Sequence, residues 1–124
     1  MKKLKTPIQL KKQLDKVFSV WIRMQGHEDF NNSCYTCGKY LPIKKLQCGH
    51  FIGRRQGLSI RWEPRNCKPQ CLNCNVFLRG NLPRFAEHLM QEYGPTIIAD
   101  LNLQSEQTLK LNRENLIQLI NQYS

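Results

Sequence analysis

Two CxxC pairs, Cys34-Tyr-Thr-Cys37 and Cys71-Leu-Asn-Cys74, stand 33 residues apart and constrain this chain more than any other feature. A two-residue gap lets both thiolates of a pair reach one ion from a tight turn, and two pairs complete a tetrahedral four-sulfur shell. The spacing predicts a closed structural Zn2+ site made by Cys34, Cys37, Cys71 and Cys74. Such a site has no open position, so it fastens the chain and performs no reaction itself. Cys48 and Cys67 are left over. Both read best as small buried residues that pack, Cys67 being a less well spaced substitute ligand.

The 33 residues between the pairs exceed a compact zinc ribbon and must carry structure of their own. Before them, Thr6-Pro7-Ile8-Gln9 is a helix start, with Thr6 as cap, Pro7 in the first turn and Gln9 closing a capping box. Leu10, Leu14, Val17, Phe18, Trp21 and Ile22 follow at helical spacing, and Gly26 is a stop. This stripe is core, and Trp21 is given no binding role. From Cys34 to about Trp62 the helical period gives way to glycines, a proline and short apolar runs, which predict brief strands and turns. A helix is expected after Gln70, ending near Gly80. A second, capped by Asn81, carries Phe85, Leu89 and Met90 and closes at Tyr93-Gly94-Pro95. A short segment around Ile97 to Leu101 precedes a last helix with Leu116, Ile117 and Ile120 on one side. His27 and His88 read as surface residues. The expected class is α+β, in one domain over 1–124: a helix at 6–26, a zinc-bound core at 34–82 and a helical region at 83–124.

Charge points to a partner. The chain carries a formal charge of +10, and it is unevenly spread. Between Cys37 and Phe85, ten lysines and arginines face a single acid, Glu63; beyond Phe85, five acids outnumber Lys110 and Arg113. A cationic middle suits a polyanion such as nucleic acid. The basic start MKKLKTPIQLKKQLDK lacks an apolar stretch to follow it, and no run approaches a membrane span. The expectation is a cytoplasmic protein without a membrane partner, where thiols serve metals rather than disulfides.

Inside the zinc loop stand one histidine, His50, then Asn66, with Asn75 directly after Cys74. This order resembles that of the HNH, or ββα-metal, nucleases, with the last histidine replaced by asparagine as in endonuclease VII-type resolvases. The runs CYTCG, CGHFIGRR, LSIRWEPRNCKPQCLNCNVFLRGN and LMQEYG are more specifically similar to the phage lambda NinG (Rap) recombination family, over residues 34–102. The resemblance implies a structure-specific endonuclease for branched DNA, such as Holliday junctions and D-loops, working in the host bacterial cytoplasm. It implies a small zinc-stapled ββα core between helices.

Phosphodiester hydrolysis needs an activated water and charge neutralisation at the phosphorus. The resemblance assigns His50 as the base, Asn66 as the residue holding it or its strand in place, and Asn75 as an amide-oxygen ligand for Mg2+ or Mn2+. Hard cations prefer such oxygens, and an imidazole takes a proton near neutral pH. Arg54, Arg55 and Arg79 are candidate phosphate clamps. Gly49 departs from the aspartate that many HNH enzymes place before the histidine. Paired cuts on a junction point to a homodimer, with the outer helices as an interface if their stripes are not used within the chain. The alternative function is a noncatalytic zinc-stapled module that binds nucleic acid. A homing or restriction-type enzyme fits less well, because the chain shows no separate recognition domain.

Overall fold

The computed structural model describes residues 3–124 and shows a small mixed helix-and-sheet protein. Helix α1 (Pro7–Met24) begins at Thr6, whose hydroxyl accepts from the Gln9 amide while the Gln9 side chain accepts from the Thr6 amide. This reciprocal box satisfies two of the helix's otherwise unpaired donors. Leu10, Leu14, Phe18 and Ile22 recur every fourth residue and are all buried. Helix α5 (Arg113–Tyr123), capped by Asn112, lies against that stripe and buries Leu116, Ile120 and Tyr123. The Tyr123 ring meets Phe18 and Trp21 edge-on, each at 4.9 Å between centroids. The two ends of the chain thus form one hydrophobic layer, and their apolar stripes are satisfied by each other. Ile117, expected on the buried side, is instead exposed, because the α5 face turns through Tyr123.

The middle of the chain holds two antiparallel pairs. Strand β1 (Asn31–Ser33) pairs with β2 (Tyr40–Pro42), and the turn between them carries Cys34 and Cys37. Strand β3 (Leu46–His50) pairs with β4 (Cys67–Cys71) in the register Leu46↔Cys71 to His50↔Cys67. Between β3 and β4 run two 3-10 turns and the short helix α2 (Leu58–Arg61). The expected helix after Gln70 is only a single π-helical turn, Asn73–Phe77. Its geometry follows the cysteine turn rather than a hydrophobic period: the Cys74 amide donates to Cys71 Sγ, and the Gly80 amide to the Cys74 carbonyl.

Helices α3 (Leu82–Tyr93) and α4 (Ile97–Ser105) follow, and α4 is longer than the segment read from the sequence. They enclose a second core of Ile60, Phe85, Leu89, Ile97 and Leu101. Asn81 does not cap α3 with its side chain. It adopts φ +48° and turns its amide to Cys74 Sγ, 3.6 Å away. No helix among the described residues is long and apolar enough to cross a membrane.

Candidate functional site

The turn after β1 and the turn after β4 bring Cys34, Cys37, Cys71 and Cys74 together, with all four sulfurs within 4.8 Å of one another. Cys37 and Cys71 sulfurs are 3.7 Å apart, close to the edge of a tetrahedron built on zinc–sulfur bonds of about 2.3 Å. Donors surround the cluster as they do in metal–thiolate sites: the Thr36 hydroxyl at Cys34, the Cys74 amide at Cys71 and the Asn81 amide at Cys74. Burial pushes the Cys34 thiol up, but the Thr36 hydroxyl and nearby backbone amides more than offset it and draw the value down to about 6. Cys37 is pushed up to about 12, first by burial and then by the neighbouring thiols. Four converging sulfurs with hydrogen-bond donors directed at them are a set suited to a structural metal such as zinc, which displaces the thiol protons when it binds.

Gln70 packs this knuckle to the ladder. Its fully buried side chain donates to Thr36 Oγ1 at 3.1 Å and to the Gly80 carbonyl at 2.8 Å. Its oxygen rests against Gly49: a Cβ on that glycine would lie 1.9 Å from Gln70 Oε1. The glycine in place of an acid therefore has a steric cause. Gln70 occupies the room that any side chain at position 49 needs.

His50 ends β3 and faces α1 across a cavity of about 350 Å³ lined by Asp15, Ser19, Gln47, Cys48 and Arg54 among others. Its Nε2 lies 2.9 Å from the Arg61 carbonyl. A carbonyl only accepts, so the proton sits on Nε2 and the lone pair on Nδ1. Burial lowers the histidine's pKa from the usual 6.5, outweighing the backbone carbonyls that raise it, so the ring is neutral at pH 7. Asn66 is fully buried and grips the segment just beyond His50. Its Oδ1 accepts from the Ile52 amide at 2.8 Å, and its Nδ2 donates to the Ile52 carbonyl at 2.9 Å and the Ile60 carbonyl at 3.3 Å.

Asn75 is placed differently. Its Nδ2 donates to Gln47 Oε1 at 2.7 Å. Gln47 and His50 are three residues apart on β3, so their side chains leave opposite faces of the ladder. Gln47 nevertheless lines the His50 cavity, and through it Asn75 is joined to that cavity's wall. Of the three arginines, Arg54 lines the cavity and pairs with Asp15 at 3.2 Å, and Arg55 is its exposed neighbour. Arg79 is exposed on the turn after Phe77, remote in sequence from both.

Several residues have no signal in the sequence. Asp15, on the flank of α1, accepts from Arg54, Arg61 and the Trp62 indole and so ties α1 to the loop between β3 and β4. His88 is not a plain surface residue, since its Nδ1 meets the Tyr35 carbonyl at 2.5 Å and ties α3 to the knuckle. The cationic middle is also partly spent within the fold: Arg54, Arg61, Arg65 and Lys68 all form ion pairs. Lys39, Lys44 and Lys45 remain exposed around an open depression of about 750 Å³ that Gln47, Asn73 and Phe77 also line. That depression shares Leu46 and Gln47 with the His50 cavity.

The family model described as Bacteriophage Lambda NinG protein matches residues 1–124, the whole chain. The chain belongs to the NinG family. NinG is a phage family connected with recombination, and here the two CxxC pairs form its cysteine cluster. Searches of curated proteins and of solved structures found no match.

Proposed function

We propose that this NinG protein is a metal-dependent endodeoxyribonuclease of the HNH type that cleaves branched recombination intermediates. The observation that carries the reading is His50: a neutral, oriented imidazole at the mouth of a cavity, on a ladder stapled by a cysteine cluster, with a buried asparagine locking the segment behind it. The β3–β4 ladder followed by the turn at Asn73–Phe77 supports a reduced ββα arrangement, in which one helical turn stands where a longer helix is usual.

In this reading His50 Nδ1 takes the proton of the attacking water, while the Arg61 carbonyl holds the ring and steadies the charge it acquires. Asn66 keeps the strand-to-loop junction rigid, so the imidazole stays in place. Asn75 spends its Nδ2 on Gln47, which leaves its Oδ1 as an amide oxygen of the type Mg2+ or Mn2+ accepts, and such an ion would supply charge neutralisation at the phosphate. Arg54 lines the cavity and Arg55 is exposed beside it, and both are the guanidinium type that clamps a phosphate.

DNA lies along the depression lined by Lys39, Lys44 and Lys45, where Phe77, 71% exposed, offers a ring for a base to stack on. A partner for paired cuts is a second copy of the chain, docked through surfaces other than the α1 and α5 stripes. The test is cleavage of a labelled four-way junction with Mg2+ or Mn2+, by wild type and His50→Ala, with zinc content and binding measured in both.

The noncatalytic reading is favoured by one observation, the separation of Asn75 from His50 across the ladder. It expects junction binding without cleavage by wild type under every metal.

A further inference from the structure

We propose that Cys48, His50 and Cys67 form a second, open metal site for a soft divalent cation of the zinc class. The register explains the grouping. Cys48 and His50 are two residues apart on β3 and share a face, and Cys67 is the direct cross-strand partner of His50. The two sulfurs and one ring nitrogen all lie within 4.8 Å of one another, as do the sulfurs of the four-cysteine cluster. Zinc–sulfur bonds of about 2.3 Å need the sulfurs about 3.8 Å apart, a small closure for two side chains on one rigid ladder.

The surroundings suit an ion. His50 Nε2 and Cys67 Sγ both meet the Arg61 carbonyl, at 2.9 and 3.8 Å, which holds ring and thiol side by side. A carbonyl on one ring nitrogen is what orients most metal-ligating histidines. Cys67 is fully buried and Cys48 is half-buried beside the cavity under α1. Two thiolates and an imidazole select zinc over Mg2+ or Mn2+. The Asp15 carboxylate is already engaged by arginines and the Trp62 indole, so it is not the fourth ligand, and that position would be left open on the cavity side.

A disulfide is a poorer use of these sulfurs. Cys48 lies opposite Pro69, which makes Cys48 and Cys67 diagonal neighbours. Diagonal partners in an antiparallel ladder stand about 7–8 Å apart, beyond the usual Cα separation of a disulfide.

The site rests on the ladder geometry and not on the nuclease reading, but the two compete for one lone pair. His50 acts as a base only in chains whose second site is empty, so cleavage in Mg2+ or Mn2+ should fall when excess Zn2+ is added.

The test is a metal count on the full chain, which needs no DNA. Protein carrying its four-cysteine zinc is equilibrated with excess Zn2+, dialysed, and weighed by native mass spectrometry. Wild type is expected to hold two zinc ions per chain, and Cys48→Ser one, with unchanged circular dichroism. Cys67→Ser is expected to hold one as well, but its burial makes Cys48→Ser the cleaner variant. With Co2+ the second equivalent gives thiolate charge-transfer absorption that Cys48→Ser lacks. One zinc per wild-type chain at saturation, two retained by Cys48→Ser, or a Cys48–Cys67 disulfide recovered by peptide mapping overturns the proposal.

Discussion

Replacing Gly49 by alanine adds one methyl group where Gln70 leaves no room. The new Cβ would stand 1.9 Å from Gln70 Oε1, 2.6 Å from its Cδ and 2.8 Å from its Cγ. The contacts involve the whole end of a fully buried side chain, so a small shift does not relieve them. Gln70 must swing away and lose its bonds to Thr36 and to the Gly80 carbonyl. Each is worth about 1 kcal/mol net, and a buried carbonyl left without a donor costs about 1–3 kcal/mol more. The expected destabilisation is therefore about 3–5 kcal/mol. At about 4 °C per kcal/mol for a domain of this size, the zinc-loaded protein should melt about 12–20 °C lower.

A double-mutant cycle separates this clash from any general intolerance. In a Gln70→Ala background the space is cleared, and Gly49→Ala should be neutral or stabilise by up to about 1 kcal/mol, since alanine is the better strand residue. Urea unfolding with zinc saturating is the assay. If Gly49→Ala alone stays within about 0.5 kcal/mol of wild type, the packing of Gln70 under β3 is wrong, and so is the steric explanation for the missing acid.

Gly49→Asp, which restores the acid usual in HNH enzymes, should destabilise at least as much as alanine and leave Mg2+ affinity unimproved by calorimetry. Asn66→Ala removes three bonds to the segment between β3 and β4, costing about 2–4 kcal/mol. Amide exchange in residues 51–60 should accelerate more than in α1. Stripping zinc with a strong chelator should unfold the β1–β4 region, because such metals contribute about 10 kcal/mol or more to small domains; circular dichroism that is unchanged after complete removal would count against a structural role. Because burial lowers the His50 pKa from 6.5, the imidazole stays neutral below that pH. The cleavage rate should therefore hold through pH 6.5 and fall only at lower pH, whereas an acid limb centred above 6.5 would speak against His50 as the base.

Local rules made the outer parts of the fold legible in the sequence. The Thr6 capping box and the four-residue spacing from Leu10 to Ile22 are determined by neighbours in the chain, and α1 follows them from Pro7. The cysteine spacing likewise foretold which four thiols meet. Where a contact between distant segments decides the matter, the sequence is silent. Asp15 finds partners 39 and 46 residues away, and nothing near it in the chain marks that role. Asn81 resembled a cap because it precedes a helix, but the knuckle holds it in a left-handed conformation with its amide on sulfur.

The candidate site shows the same division. Cys48 and His50 alternate along one strand, which the sequence displays, but the register that adds Cys67 is visible only in the folded ladder. The placement of Asn75 on Gln47 also depends on how the π-helical turn leaves the knuckle. Counting cations overstated the free charge for a similar reason, since Glu63, Glu92 and Asp15 each claim a basic partner from another part of the fold or from a nearby turn.

The central claim is that His50 serves phosphodiester hydrolysis on this scaffold. It is tested most directly by incubating a labelled four-way junction with Mg2+ or Mn2+ and either wild type or His50→Ala. The account predicts metal-dependent cleavage by wild type and a loss of at least about a hundredfold in the variant, with junction binding and the four-cysteine zinc retained. Equal cleavage by both proteins, or binding without cleavage by wild type in either metal, contradicts it.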